Sequence, residues 1–114
     1  MKIAVVGSRD YPALEDVGLV LDDIYKITNN KVSIITGGAR GVDKEAERWA
    51  QARGVKCEVI RPVNPSKKID YLFRNVEIIT KAHYVVAFHH KNSKGTAFVI
   101  EYALARNIPL RVIG

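Results

Sequence analysis

At residues 32–43 the chain reads VSIITGGARGVD, and this stretch decides the fold. An apolar, β-branched run ends in a turn that contains three glycines, and a helix pattern from Val42 to Arg53 follows directly. Glycines reach positive φ angles and have no Cβ to hold a ligand away, and the first N–H groups of a helix have no partner inside it. Arg40 adds a guanidinium group that suits phosphate or carboxylate. The stretch therefore predicts a strand, an anion-binding turn and a helix.

The rest of the chain alternates apolar strand patterns with amphipathic helix patterns, and we find no internal repeat or linker. Strands are predicted at 2–6, 31–35, 55–63, 84–88 and 110–113, and helices at 12–28, 42–53, 69–81 and 96–106. Such alternation is typical of an open parallel sheet with helices on both faces. We expect one Rossmann-like α/β domain over residues 1–114, a three-layer sandwich with about five parallel strands.

Composition sets limits on the function. The chain has 114 residues and a net charge of +6, which favours an anionic partner. Because its basic residues are dispersed, with one short cluster at Lys67-Lys68, a solvated basic surface is the alternative explanation. No apolar run approaches the roughly 20 residues that span a bilayer, and no signal peptide is recognisable. We expect a cytoplasmic protein without a membrane partner, in which the single cysteine, Cys57, is a buried structural side chain.

Three polar turns follow predicted strands, namely Gly7–Arg9, residues 37–41, and the loop from His89 to Thr96. In open parallel sheets, ligands bind beyond the carboxyl ends of the strands, at the point where the strand order reverses. All three turns are predicted to lie at that edge of the sheet. Their glycine and hydroxyl content suits phosphate, so the sequence predicts a phosphate-binding site there.

These motifs resemble the SLOG superfamily, which includes the YspA-like proteins, the Rossmann-like domain of DNA-processing protein A, and the Lonely Guy phosphoribohydrolases. The motifs that carry the likeness are Gly7–Arg9, Thr36–Asp43 with Ala46 and Trp49-Ala50 beyond it, Arg74-Asn75, and Ser93–Thr96. The small YspA-like branch is the most similar. The resemblance implies a single SLOG-like domain over residues 1–114 that senses or processes nucleotide-derived ligands.

The resemblance also implies roles for individual residues. Gly7–Arg9 would line the pocket floor, residues 38–41 would cradle a phosphate, and Gly95-Thr96 would form a second phosphate cradle. Arg74 falls where the phosphoribohydrolases carry an arginine that binds ligand and takes part in catalysis. The predicted ligand-binding set is Gly7, Ser8, Arg9, Gly37, Gly38, Ala39, Arg40, Gly41, Asp43, Arg74, Ser93, Lys94, Gly95 and Thr96.

One departure from the hydrolase pattern leaves catalysis open. Those enzymes read Pro-Gly-Gly-x-Gly-Thr-x-x-Glu, whereas this chain lacks the Pro-Gly-Gly and has Val99 in place of the glutamate. Glu101 lies on another face of the helix, where a surface charge is the alternative interpretation. Asp43 would contact a ribose hydroxyl, orient Arg40, or only carry charge in the first turn of its helix. The candidate catalytic residues are therefore Arg74, Glu101 and Asp43, for N-glycosidic or phosphoribo-hydrolysis.

No metal site or cofactor is predicted. His89 and His90 are adjacent at the end of a strand, so their side chains point to opposite sides and do not hold one ion. One of them is expected to line the ligand pocket. The last predicted helix, Thr96 to Arg106, has almost no polar face. Such a helix is either covered on both sides or buries one face in a partner, and we predict a homodimer through it.

Two functions follow from this sequence. The first is binding of a phosphate-bearing nucleotide or nucleotide-derived small molecule, as a sensor or as a weak hydrolase. The alternative is binding of single-stranded DNA, which the positive charge favours. Against it, Tyr11, Tyr71 and Phe73 are the only stacking aromatics near the predicted rim. A dinucleotide oxidoreductase is disfavoured because no Gly-x-Gly-x-x-Gly follows the first strand.

Overall fold

Five parallel strands form the central sheet of the structure, a computed structural model that describes residues 1–114. The strands are β1 (Lys2–Gly7), β2 (Ser33–Thr36), β3 (Cys57–Val59), β4 (Tyr84–Phe88) and β5 (Leu110–Ile113). Their order across the sheet is β3-β2-β1-β4-β5, and every neighbouring pair is parallel. The predicted fold class is confirmed.

Helices cover both faces of this sheet. They are α1 (Glu15–Ile27), α2 (Val42–Arg53), α3 (Lys68–Lys81) and α4 (Lys94–Ala105). Alternate side chains of β1 enter two separate cores, because successive residues of a strand point to opposite faces. Ile3 and Val5 pack with α1 and α2, whereas Ala4 and Val6 pack with α3 and α4. None of these helices is both long and apolar enough to span a bilayer.

Several element boundaries differ from the sequence prediction by one to four residues. Strand β3 ends at Val59 instead of residue 63. Ile60 N–H still donates to the carbonyl oxygen of Thr36 at 2.9 Å, and Pro62 has no N–H with which to continue the pairing. Helix α4 begins two residues early, at Lys94, and Ala97 N–H donates to the carbonyl oxygen of Ser93 at 3.0 Å. Helix α1 begins only at Glu15, so residues 12–14 belong to the loop.

The strand order creates a crevice between β1 and β4. From β1 the chain passes through α1 to β2 on one side, and from β4 it passes through α4 to β5 on the other. The last residues of these two central strands, Gly7 and Phe88, lie opposite each other in the sheet. This is the point at which ligands bind in open α/β sheets.

Candidate ligand-binding cleft

A cleft of about 620 Å³ opens at the carboxyl ends of β1 and β4. Its walls come from the turns after β1 and β2, from α3, from the loop after β4, and from the start of α4. Volumes of about 300 to 1,000 Å³ are typical of small-molecule sites. Val6, Ile78 and Val99 form an apolar part of the lining, and most other lining groups are polar.

The glycine turn after β2 packs tightly against its neighbours. Gly41 has φ +81°, and a Cβ on it would lie 2.7 Å from the carbonyl oxygen of Arg9. A Cβ on Gly37 would lie 2.5 Å from the Nη1 atom of Arg74. Larger residues at these two positions would separate the turn from the β1 loop and from α3. The glycines therefore bring three segments of the cleft together.

Arg74 is a buried cation on the wall of the cleft. It is 9% exposed, and its Nη1 donates to the carbonyl oxygens of Gly37 at 2.7 Å and Ile60 at 3.4 Å, while Nε donates to Asn75 Oδ1 at 2.8 Å. No carboxylate lies within salt-bridge distance of it. Burial lowers its pKa from the usual value, which for arginine still leaves the side chain charged. Its charge is held in place but not neutralised by an ion pair.

Asp43 is a buried carboxyl group in the same cleft. It is 5% exposed, its Oδ2 accepts the N–H of Ala39 at 3.1 Å, and its Oδ1 is buried without a hydrogen-bond partner. Burial raises the pKa of Asp43 to about 6, although the Ala39 N–H and the charge of Arg74 act in the opposite direction. A carboxyl group with this pKa exchanges protons near neutral pH, which is common at functional sites.

The start of α4 faces the cleft from the other side. Thr96 is buried and receives a hydrogen bond from Ser93 Oγ at 3.1 Å. Gly95 lines the cleft, and a Cβ built on it would meet nothing within 4 Å. The first turn carries no acidic residue, so no carboxylate of that turn offsets the positive end of the helix. This end, with its free N–H groups, lines the cleft.

Nine residues of the predicted ligand-binding set line the cleft, and five do not. Those that line it are Gly7, Arg9, Gly37, Ala39, Asp43, Arg74, Ser93, Gly95 and Thr96. Gly38 lines a smaller side cavity, and Gly41 packs against the backbone of Arg9. Ser8 is buried, and its Oγ accepts the N–H of His90 at 3.0 Å, which fixes the loop after β4.

The other two residues of the set, Arg40 and Lys94, are exposed and do not line the cleft or the side cavity. Of the three candidate catalytic residues, Arg74 and Asp43 lie in the cleft. Glu101 is exposed and does not line it, whereas Val99 does.

Several lining residues were not in the predicted set. His90 lines the cleft and contacts Tyr11 edge-on, with ring centroids 6.5 Å apart, whereas His89 does not line it. Tyr71 lies beside two guanidinium groups, and Arg61 lines the side cavity. Arg61 lies within the predicted strand 55–63, so no local sequence pattern indicated that it lines a cavity. No group of three or more His, Cys, Asp or Glu side chains is placed to hold a metal ion.

Comparison with known proteins identifies one family and several solved structures that share the fold. The sequence model of the YspA, cpYpsA-related SLOG family (YAcAr) matches residues 1–64. No curated protein matches the chain. DNA processing protein A from Streptococcus pneumoniae has a similar fold, with TM-score 0.86, 21% identity, and coverage of 99% of this chain and 50% of that one.

Two further solved structures have the same fold. DNA processing protein A from Helicobacter pylori, a protein with a described single-stranded DNA binding mode, matches with TM-score 0.79 and 21% identity over 98% of this chain and 64% of its own. A structural genomics target, TM1055, matches with TM-score 0.75 and 23% identity over 96% and 71%. The chain thus spans half to two thirds of the length of the two DNA processing proteins.

Proposed function

Because the chain belongs to the YspA, cpYpsA-related SLOG family, we propose that its cleft binds a phosphate-bearing nucleotide or a nucleotide-derived small molecule. The observation that carries this proposal is Arg74, a cation that is nine-tenths buried, lines the cleft and has no ion-pair partner. The charge of Asp43 acts on Arg74 without forming an ion pair with it, so no direct contact offsets the cost of burying the cation. A phosphate in the cleft would supply the opposite charge and accept charge-assisted hydrogen bonds.

The other walls of the cleft fit the remaining parts of such a ligand. The start of α4, with Gly95 and Thr96, offers N–H groups to a phosphate. The apolar patch that includes Val6 and Ile78 suits the face of a nucleobase. Asp43 suits a ribose hydroxyl, which donates the hydrogen bond that a carboxylate accepts.

We propose that the protein is a sensor rather than a hydrolase, because few carboxylates line the cleft. Only two of them line the cleft, Asp10 and Asp43, and Val99 stands where the phosphoribohydrolases have a glutamate. A hydrolase built on this cleft would depend on Asp43 as general base, with Arg74 holding the phosphate.

Ligand-dependent thermal unfolding tests the binding proposal. We expect at least one of the common nucleoside 5′-monophosphates to raise the Tm by several degrees, because a ligand at about 100 times its Kd stabilises a fold by roughly 2.7 kcal/mol. Arg9→Gln removes an exposed cleft cation and should reduce this shift. Arg111→Gln removes an exposed arginine on β5, outside the cleft, and should leave the shift unchanged. The absence of any shift, or equal shifts in both variants, would contradict the proposal.

Single-stranded DNA is the second candidate ligand. Exposed cations at the cleft and its side cavity, Arg9, Arg61 and Lys91, lie in a chain of net charge +6, which favours a polyanion. DNA processing protein A from Helicobacter pylori, which has a similar fold, binds single-stranded DNA. The salt dependence of binding separates the two ligands.

We also propose that the protein forms a homodimer through α4. The helix packs Val99 and Ala103 into the core, and Leu104 on its outer side is 61% exposed. Phe98, Ile100 and Tyr102 are only half-buried, and the exposed charged residues of the helix are Lys94 and Glu101. A second copy of the chain would cover this apolar side.

A further inference from the structure

A second, smaller cavity of about 150 Å³ adjoins the cleft. It lies between the turn after β2, the loop after β3 and α3, and it shares Arg9, Tyr71 and Arg74 with the cleft. Its own lining adds Arg61, Pro62 and Pro65. The two spaces are therefore adjacent, with the shared side chains between them.

Three arginines surround this side cavity. The Tyr71 ring lies beside two of them, with its centroid 5.6 Å from the guanidinium carbon of Arg9 and 5.3 Å from that of Arg74. Arg61 approaches from the loop after β3, with Nη1 3.4 Å from the carbonyl oxygen of Gly38. The positive charges of Arg9 and Arg61 act with burial to lower the pKa of Arg74, so the three charges are close enough to interact.

Carboxylates do not balance these charges. None of the three arginines takes part in a salt bridge. Asp43 is the carboxylate whose charge acts on Arg74. Asp70, in the first turn of α3, instead accepts the N–H of Asn64 at 3.1 Å. Repulsion among three cations destabilises the empty site, and a bound anion removes it.

We propose that the side cavity is a second anion subsite, so that the ligand of this protein carries two phosphate groups. One phosphate lies at the start of α4 or on the Arg74 side of the cleft, and the other is held by Arg9 and Arg61. This inference rests on the proposed function and narrows it to nucleoside diphosphates, diphosphate-bridged nucleotides or nucleoside bisphosphates. Arg61 then selects ligands by the number of their phosphates.

Titration calorimetry with three adenine nucleotides tests this subsite. The probes are AMP, ADP and adenosine 3′,5′-bisphosphate, at one ionic strength, with inorganic phosphate and pyrophosphate as probes that do not depend on the base. We expect a two-phosphate probe to bind wild type at least about tenfold more tightly than its one-phosphate counterpart. The comparison of ADP with the bisphosphate shows whether the two phosphates are adjacent or separated.

Two variants make the test specific to the side cavity. Arg61→Gln should weaken the two-phosphate probe about tenfold and change the one-phosphate probe by about twofold or less. Arg111→Gln has the same charge change outside the site and should leave both affinities unchanged. Because Arg61 is exposed, its substitution should not lower the Tm of the ligand-free protein.

The outcomes separate this inference from the proposed function. Equal affinity for one and two phosphates, or equal weakening of both probes by Arg61→Gln, would overturn the subsite and leave nucleotide binding in place. If no nucleotide and neither inorganic anion binds, both proposals fail.

Discussion

Asp43 is placed where an ionised carboxylate destabilises the fold. Its pKa rises from 3.8 to about 6 on folding because burial disfavours the charge. The folded protein therefore binds this proton more tightly than the unfolded chain does. Stability falls as the pH rises from about 4 to about 6, and above that range the loss is constant at about 3 kcal/mol.

The substitution Asp43→Asn removes this ionisation without changing the shape of the side chain, and its amide oxygen still accepts the N–H of Ala39. We expect the variant to be more stable than wild type by about 1 to 3 kcal/mol at pH 7.5 and nearly equal to it at pH 4. Thermal unfolding at both pH values measures the difference. Asp10→Asn, which removes an exposed cleft carboxylate, should show no such pH-dependent gain.

A variant that is less stable than wild type at both pH values would contradict this account. A gain only at neutral pH would mean that the chain carries a carboxylate that its fold does not need. Ligand binding would then be the reason to keep it, because functional groups are often retained at a cost in stability.

The arginines show how far sequence can identify a site. Arg74 was predicted from its resemblance to a family arginine, and the structure places it in the cleft. Arg40 was predicted because it lies inside the glycine turn, yet its side chain is exposed and does not line the cleft. Arg61 was missed because it lay in a predicted strand. Which of these side chains enters the cleft depends on how the loop after β3 packs against the turn after β2, which no local pattern records.

At the scale of elements, all nine helices and strands were predicted, from apolar runs for the strands, from apolar residues at helical spacing for most helices, and from the turn residues between them. Their ends were harder to predict. Apolar residues at 55, 57, 59, 60 and 63 continue past the point where β3 leaves the sheet, so the pattern of apolar residues extended the strand. The start of α4 depends on the hydrogen bond from Ala97 N–H to the Ser93 carbonyl, which the apolar pattern does not show.

The proposed dimer is tested on the outer side of α4. Leu104→Lys places a charge on the exposed apolar side and should convert a dimer into a monomer, as measured by size-exclusion chromatography with light scattering. Leu19→Lys is the matched control, because Leu19 on α1 is 62% exposed and Leu104 is 61% exposed. We expect the control to remain dimeric. A monomeric wild type, or dimers in both variants, would show that α4 is not the interface.

At the scale of the whole molecule, the strand order was not predicted. Right-handed crossovers are compatible with several orders of five parallel strands. The observed order places β1 beside β4, and this brings the turn after β1 and the loop after β4 to the same cleft. Sequence predicted which turns lie at the carboxyl edge, but their distances depend on this long-range pairing.

The salt dependence of binding distinguishes the two candidate ligands of this basic chain, whose net charge is +6. Single-stranded DNA that contacts several basic residues releases counterions, so its affinity should fall about tenfold or more between 50 and 200 mM salt. A single nucleotide has no condensed counterion layer, and its affinity should fall only about threefold or less. Calorimetry with AMP, ADP and a 12-nucleotide oligo(dT) at both salt concentrations measures this dependence.

A variant with substitutions outside the cleft further distinguishes nucleotide binding from binding of single-stranded DNA. Replacing both Lys67 and Lys68 by glutamine removes the basic cluster of the sequence, and neither residue lines the cleft or the side cavity. If the partner is a small nucleotide, this double variant binds it as wild type does, because the charges proposed to hold the phosphates are those of Arg9, Arg61 and Arg74. If the partner is DNA, the double variant weakens oligo(dT) and flattens its salt slope. Steep binding of oligo(dT) by wild type, without binding of AMP or ADP, would replace the nucleotide proposal with the DNA one.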